Sequence, residues 1–430
     1  MPRLASIPTL TVLFSLSGCN RAPDPRTMTT AELLQSIARE PMYKNLERAT
    51  GLWGELRSRP GSEVAALAMH ALGSEDSDLQ VTAASVLARL LTTEAKALGT
   101  EIASRCGAAL LRQLDAPSQH ARAGAASALS SVWFNGSSNL PPPELMKALP
   151  SLLASEEVRV RGLAVISAMS LSAPELDPVL AARLGAEPDA GLRLMLAVIL
   201  SRRCEHSETA PALARALEDA TADVRRAAAD GLARPSTLDE PTLDRLRKLV
   251  ESAVDRELAT CCAYTLAVHT RGALSAESLL ATVFGMEATL GEHERSKWLC
   301  SIGLLAAQAP GSAMATKARE VLTAELSSKD DSMAEEATAA LARIARASGD
   351  AKLGQRMVQR LLDALAPYED HEPTDYSCDR TIVFEALLDL VDWPDAKIDP
   401  APLRARLTHV STNCDRWTRE WAKRRLAALR

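Results

Sequence analysis

The sequence predicts an all-α fold, namely a solenoid of about ten to eleven stacked helical hairpins. One frame recurs along nearly the whole chain, with apolar residues at offsets 0, +4, +5 and +8 and often a basic residue at +1. Its copies lie roughly 30 to 47 residues apart, which is the period of helical repeats. Strand signals are nearly absent, because no segment alternates convincingly and aromatic residues are only 3% of the chain. The copies close on Leu87, Leu129, Ala168, Leu200, Leu232, Leu266, Leu304, Leu341, Leu387 and Leu426.

The geometry of the α-helix explains the frame. At about 100° per residue, the offsets 0, +4 and +8 fall on one stripe, and +5 lies on its shoulder. Alanine at +4 and +5, as at Ala228 and Ala229, lets two helices approach closely. A second amphipathic segment precedes each copy, for example Thr242–Val250. A single hairpin of this kind cannot bury its apolar stripe, so neighbouring hairpins are expected to stack.

The charges around the frame carry a family resemblance. Glu187 precedes Arg193, and Asp219 precedes Arg225, with the acid before and the base just after the first apolar residue. This pattern resembles the HEAT-repeat family, including the short variants first named from phycobilisome lyases. The resemblance implies that these charges form a structural ladder between successive turns; a row of arginines that binds anions is the alternative. The basic residue also occurs at Arg122, Arg161, Lys297, Arg380 and Arg419.

The N-terminus predicts export and lipidation. An apolar run from Leu4 to Leu16 is too short for a stable membrane span and is typical of a signal peptide. The tetrapeptide Leu16-Ser17-Gly18-Cys19 that ends it resembles a bacterial lipobox. The resemblance implies cleavage before Cys19 and acylation of Cys19, with palmitate among the acyl chains. An ordinary signal peptide with an accidental cysteine is the alternative.

These features predict three segments and a location. Residues 1–18 form the lipoprotein signal peptide, residues 19–30 the lipidated cysteine and a short polar tether, and residues 31–430 the solenoid. We therefore expect a lipid-anchored membrane protein of the bacterial cell envelope that faces the periplasm. Asn20 replaces the aspartate that commonly retains such proteins at the inner membrane, so the outer membrane is slightly favoured.

The cysteines divide into two groups. Cys262 and Cys300 hold the same +4 offset in neighbouring copies of the frame, which predicts that both are core residues. Cys378 and Cys414 instead lie in polar turns that precede the last two copies. An exported protein can oxidise such a pair, so Cys378 and Cys414 are a candidate disulfide if their Cα atoms lie within about 7 Å.

Catalytic and metal-binding motifs are absent from the sequence. The seven histidines scatter over the repeats, and there is no His-Glu-x-x-His, Cys-x-x-Cys or phosphate-binding glycine loop. The formal net charge of −6 argues against a nucleic-acid partner, which requires a basic surface. We therefore expect no catalysis, cofactor, metal ion or small-molecule substrate.

The offsets +2 and +6 of the frame point away from the paired helix and define a candidate partner-binding face. Apolar side chains gather there in the middle of the chain, and aromatic anchors are common in binding hot spots. The alternative is that packing between repeats covers these positions. The predicted face consists of Ile166, Leu194, Val198, Tyr264, Trp298 and Ile302.

Two classes of function are consistent with the sequence. The first is a membrane-anchored scaffold or adaptor that binds a protein partner, whose identity the sequence does not reveal. The alternative is an enzyme on a HEAT-like scaffold, of the chromophore-lyase or DNA-glycosylase type. The export signal and the acidic charge disfavour this alternative, because the substrates of those enzymes are cytosolic and DNA binding needs a basic groove.

Overall fold

The computed structural model confirms the all-α fold and the stacked hairpins. Among the residues that it describes, no strand occurs, and helices follow one another along the chain. The described residues are 24–39, 46–135, 142–171, 173–203, 209–234, 237–252, 254–287, 290–365, 386–388, 390–397, 399–413, 422–427 and 429. Cys19, Cys378 and Cys414 lie outside this set, so the lipidation and the disulfide remain predictions.

The chain divides into two compact units, Met1–Ala128 and Leu129–Arg430. In the first unit a short 3₁₀ turn, Pro25–Thr27, precedes the helices. Helix α1 packs against α2, α3 and α4, and α6 packs against α3, α4 and α5. Leu33, Leu52, Leu87 and Leu110 are fully buried between them. The helices are α1 (Thr30–Arg39), α2 (Leu46–Ser58), α3 (Gly61–Ala71), α4 (Ser77–Thr93), α5 (Ala95–Leu98) and α6 (Thr100–Gln113).

The boundary between the units falls inside α7 (Gln119–Asn135), and the helices that follow belong to the second unit. They are α8 (Pro143–Leu153), α9 (Val158–Ser170), α10 (Asp177–Ala186), α11 (Ala190–Arg202), α12 (Thr209–Ala216), α13 (Ala222–Gly231), α14 (Glu240–Ser252), α15 (Arg256–His269), α16 (Ala273–Gly285), α17 (Glu292–Gln308), α18 (Ala313–Glu325), α19 (Asp331–Ser348), α20 (Ala351–Leu365) and a further helix, Ala401–Asn413.

The helices of the second unit form two layers. Each of the pairs α8/α9, α10/α11, α12/α13, α14/α15, α16/α17 and α18/α19 packs as a hairpin. The second helix of each hairpin also packs against its counterpart in the next, from α9 to α11 and onward to α19. The apolar frame of the sequence lies on these second helices, which we call the second-helix layer. The predicted stacking of hairpins is thus confirmed.

Acidic caps fix where several second helices begin. Asp189 accepts a hydrogen bond from the backbone N–H of Leu192 at 2.9 Å, and Asp255 accepts one from that of Leu258 at 3.0 Å. Each bond satisfies a backbone donor that has no partner within the first helical turn. The first apolar residue of the frame therefore starts one turn after the cap, pointing into the hairpin.

One close approach in the second-helix layer depends on glycine. A Cβ atom at Gly303 of α17 would lie 2.4 Å from the Cβ of Ala340 on α19. No pair of non-bonded carbon atoms approaches so closely, so only glycine permits this spacing of the two helices.

Among the described helices, none is long and apolar enough to cross a membrane.

Candidate interaction surface

The six residues of the predicted face fall into two groups. Ile166 on α9 is 38% exposed, and Leu194 and Val198 on the neighbouring α11 are half-buried. Tyr264 on α15 is also half-buried. Trp298 and Ile302 on α17, in contrast, are fully buried at 0% exposure. The inclusion of these two residues in an exposed face was therefore wrong.

Trp298 packs inside its own hairpin. Its indole Nε1 donates a hydrogen bond to the backbone oxygen of Val283 on α16 at 2.8 Å. Its ring meets the ring of Phe284 edge-on, with centroids 5.8 Å apart, and the guanidinium of Arg295 lies 5.6 Å from its centroid. A buried tryptophan whose N–H is satisfied in this way is a core residue.

A shift of the repeat frame explains this error. Arg295, and not Lys297, makes the inter-repeat pair in α17, because its Nε donates to Glu325 at 3.0 Å. The frame of α17 therefore starts at Glu294, which places Trp298 at +4 and Ile302 at +8. Both offsets face the core. A glutamate at the first apolar position concealed this register in the sequence.

The ladder that the family resemblance implied is present, and each rung joins one repeat to the next. Arg161 binds the carboxylate of Glu187 through two hydrogen bonds of 2.8 Å. Arg193 binds Asp219 in the same manner at 2.7 and 3.2 Å, and Arg225 contacts Asp255 at 3.3 Å. These arginines are structural rather than an open row for anions.

Each ladder arginine also holds the turn before its own helix. Nη1 of Arg161 donates to the backbone oxygens of Ser155 and Glu156, at 3.0 and 2.7 Å. Arg193 and Arg225 make the equivalent bonds to the turns before α11 and α13. In the first unit, Arg122 bonds the oxygens of Ala116 and Pro117 in the same way. Gln80, at the basic position of the α4 repeat, likewise donates to the oxygens of Leu72 and Ser74.

An exposed apolar stripe lies on α9. Val158, Ile166 and Met169 are 46%, 38% and 41% exposed. Offsets of 8 and 11 from Val158 bring the three side chains onto one side of the helix, with Gly162 between them. We call these three residues the apolar stripe. Val158 and Met169 were missed in the sequence because they lie outside the repeat frame, although their spacing from Ile166 is a visible signal.

Ion pairs occupy the corresponding side of α13, α15 and α17. Nζ of Lys297 lies 2.8 and 2.7 Å from the two carboxylate oxygens of Asp230 and 3.1 Å from Sγ of Cys261. Arg226 is paired with Glu257. We call Arg226, Asp230, Glu257, Cys261 and Lys297 the ion-paired face. It lies in the same layer as the apolar stripe, yet its polar groups have partners within the layer.

Cys261 and Lys297 of this face, and Tyr264 on the same helix as Cys261, are held in their resting protonation states. Burial raises the pKa of the Cys261 thiol to about 12 and also raises the pKa of Tyr264 to about 12. Burial opposes the charge of Lys297, but contacts with Cys261 and Asp230 outweigh it and raise the pKa of the ammonium. A thiolate is the reactive form of cysteine, so Cys261 is not poised as a nucleophile at neutral pH.

The remaining described cysteines belong to the core. Cys262 and Cys300 are buried, as their shared +4 offset predicted, although the corrected frame places Cys300 at +6. Sγ of Cys300 donates to Glu336 at 2.5 Å, and burial raises the pKa of this thiol well above its ordinary value. Among the described residues, no cluster of histidine, cysteine, aspartate and glutamate could hold a metal ion.

Comparison with known proteins yields similarities of fold. No family model matches the sequence, and no curated protein matches it. An engineered protein of known crystal structure is 20% identical, with 85% of this chain and 98% of that chain covered and a TM-score of 0.45. YibA of Escherichia coli is 14% identical, with 67% and 99% covered and a TM-score of 0.48. Yeast importin-beta (Kap95p) is 13% identical, with 94% and 56% covered and a TM-score of 0.47. Likeness at this level carries no argument about function.

Proposed function

We propose that the chain is a lipid-anchored protein of the bacterial cell envelope that acts as an interaction scaffold and performs no catalysis. The lipobox-like Leu16–Cys19 supports the anchor, since several acyl chains on Cys19 would hold the protein stably at a membrane. The periplasm is the compartment that such a signal implies, with the outer membrane slightly favoured by Asn20.

The apolar stripe is the observation that carries the interaction role. Its side chains are exposed on a helix whose Val160, Ala164 and Val165 are fully buried. Exposing large apolar groups to water is unfavourable. A contiguous exposed patch therefore indicates an interaction surface, whereas scattered single residues do not. On α11, which packs against α9, Leu194 and Val198 are half-buried and add to the apolar surface of the layer.

The occupant that fits the patch is an amphipathic helix of a partner protein. The stripe runs from Val158 to Met169 on one side of α9, a length of about 16 Å at 1.5 Å per residue. A straight patch about three turns long suits a helix that lays one apolar face along it. Exposed Glu157 and Arg159 next to its start provide the polar rim that such interfaces have.

Site-specific photocrosslinking in the native host tests this proposal. A photoreactive residue in place of Val158 should give a discrete adduct with one protein, and Ile166→Glu in the same chain should abolish it. The partner's crosslinked segment, identified by mass spectrometry, should be an amphipathic helix. Radiolabelled palmitate should label the wild-type protein itself and should not label Cys19→Ser.

The matched control places the photoreactive residue at Lys147, which is exposed on α8, the first helix of the same hairpin. Lys147 should give no adduct with that protein. An adduct that persists in Ile166→Glu, or that forms equally from Lys147, would show that the apolar stripe is not the binding surface. Absence of palmitate from wild type would refute the anchor independently.

A further inference from the structure

The guanidinium group of Arg203 holds the end of α9, the helix that carries the apolar stripe. Arg203 directly follows α11, and its Nη2 donates hydrogen bonds to the backbone oxygens of Leu171 and, at 2.6 Å, of Ala168. Ala168 lies in the last turn of α9, and Leu171 is the first residue after the helix. The last carbonyl groups of an α-helix have no partner within the helix, and an arginine side chain can satisfy them.

A buried carboxylate fixes this guanidinium group in place. Nη1 of Arg203 donates to Oδ1 of Asp177, in the first turn of α10, at 2.9 Å and to the backbone oxygen of Ala173 at 3.3 Å. Asp177 is 1% exposed and Arg203 is 9% exposed. Opening such a pair would leave an uncompensated buried charge, so the carboxylate keeps the guanidinium group directed at α9. We call Arg203 and Asp177 the clamp of α9.

Neutral side chains make the corresponding bond in later repeats. Nε2 of His269, at the end of α15, donates to the backbone oxygen of Leu232 at 2.8 Å. Nε2 of Gln308, at the end of α17, donates to that of Ala267 at 3.2 Å. Burial lowers the pKa of His269, so its ring is neutral at neutral pH. The bond at the end of α9 differs from these two, because a charged group makes it and reaches two carbonyl groups.

Met169, the last residue of the apolar stripe, depends on the clamp. It directly follows Ala168 in the chain, and its side chain is 41% exposed, so packing against other helices does little to hold it. At the other end of the stripe, Arg161 bonds the backbone of the turn that precedes Val158. An arginine therefore holds the backbone at each end of the stripe.

We propose that Arg203 is a positioning residue of the apolar stripe, which keeps the last turn of α9 helical and Met169 in line with the rest of the stripe. This inference rests on the proposed function, in which the stripe receives a helix of the partner. It makes the binding surface a product of two hairpins, since the stripe lies on α9 and the clamp comes from α10 and from the end of α11. Fraying of α9 would remove the contacts at one end of the bound helix.

Amide hydrogen exchange of the full-length protein tests the clamp without any partner. The double variant Asp177→Asn/Arg203→Met removes the clamp and leaves no buried charge alone. Exchange at residues 168–171 should become faster by about tenfold or more, because bonds from a charged group are lost, whereas residues 162–165 of the same helix should exchange as in wild type. The matched control is Arg202→Met, the exposed neighbour of Arg203, which should not change exchange. Equal acceleration along all of α9 would indicate general destabilisation and overturn the positioning role.

Photocrosslinking in the native host connects the clamp with partner binding. A photoreactive residue at Met169 should give the same adduct as one at Val158, and the double variant should lower the yield from Met169 several-fold more than the yield from Val158. Arg203→Lys should give an intermediate yield, because one ammonium group reaches fewer acceptors than a planar guanidinium group.

The outcomes separate the two proposals. A Met169 adduct at wild-type yield in the double variant, or unchanged exchange at residues 168–171, would overturn the role of Arg203 and leave the proposed function intact. Absence of an adduct from both positions in the wild-type chain would refute the proposed function instead, and amide exchange would still decide whether Arg203 holds the end of α9.

Discussion

The apolar stripe and the ion-paired face occupy the same layer of the second unit and have opposite character. On α9, Val158, Ile166 and Met169 project into solvent. On α17, the side chain of Lys297 instead reaches Asp230 and Cys261 on two other helices of the layer. The fold therefore allows either exposed apolar side chains or paired charged side chains at this surface. The difference locates the part of the layer where large apolar side chains remain exposed, and it is the part nearer the start of the unit.

Replacement of Trp298, the buried aromatic residue of α17, should lower the free energy of unfolding far more than a replacement in the apolar stripe. Trp298→Ala would leave a cavity beside Phe284 and remove the bond to Val283, so we expect a loss of about 3–5 kcal/mol in the free energy of unfolding. Ile166→Ala, in the apolar stripe, should cost less than about 1 kcal/mol because its side chain is partly exposed. Denaturant unfolding of both variants measures the contrast. Similar losses in the two variants would mean that the stripe is also packed in solution.

The ladder beneath the apolar stripe should respond to acid. Glu187 is buried between Arg161 and Arg183, and Glu187→Gln should cost about 3–5 kcal/mol at neutral pH because two guanidinium groups lose their partner. Asp230→Asn, in the ion-paired face, should cost about 1 kcal/mol or less, since the pair of Asp230 and Lys297 is partly exposed to solvent.

The pH dependence follows from the pKa of Glu187. Burial alone would raise this pKa, but the bonds from Arg161, the Asp189 backbone and Arg183 lower it overall. A carboxyl with a lowered pKa stabilises the fold above its unfolded value, about 4.3, and this stabilisation is lost as the pH falls through the folded value. Urea unfolding between neutral and acidic pH should therefore show a smaller acid loss in Glu187→Gln than in wild type. An identical acid loss would assign it to other groups.

Two glycines provide the smallest and most closely matched comparison. Gly303→Ala would force a methyl group against Ala340, and overpacking of this kind costs about 1–3 kcal/mol. Gly162→Ala, between the residues of the apolar stripe, would meet only Leu192 at 3.7 Å, an ordinary contact, and should gain up to about 1 kcal/mol from helix propensity. Melting temperatures that move in opposite directions are the expected result. A stable Gly303→Ala would indicate that α17 and α19 can move apart.

The repeat frame predicted the fold well where its first apolar position is truly apolar. Val160, Leu192 and Val224 fill that position on α9, α11 and α13, and the ladder arginines follow each of them. On α17 the position is Glu294, which placed Trp298 and Ile302 on the wrong side of the helix. Whether a residue is apolar and whether it is buried are separate facts, and only packing against the neighbouring helices decides the second.

A small cavity in the first unit, lined by residues that include Arg57 on α2 and Arg89 on α4, could not be predicted from the sequence for a different reason. Arg57 and Arg89 belong to no shared frame and lie on separate helices, so only tertiary packing brings them to one pocket. The apolar stripe was partly predicted, through Ile166, because it follows the periodicity of a single helix. Periodicity reveals which residues share a side of one helix, whereas a site built from several helices depends on how they are packed.

The bond between Lys297 and Asp230 has a consequence for how the stack opens. In a simple solenoid each hairpin contacts only its neighbours, so local unfolding can spread one hairpin at a time. This bond joins α17 to α13 and passes over α15, whose hairpin lies between them. At the basic position of the α15 repeat stands Ala259, which has no charge to form a ladder rung. Release of the α15 hairpin would break a bond between its two neighbours, so the three hairpins should exchange their amide hydrogens as one cooperative unit.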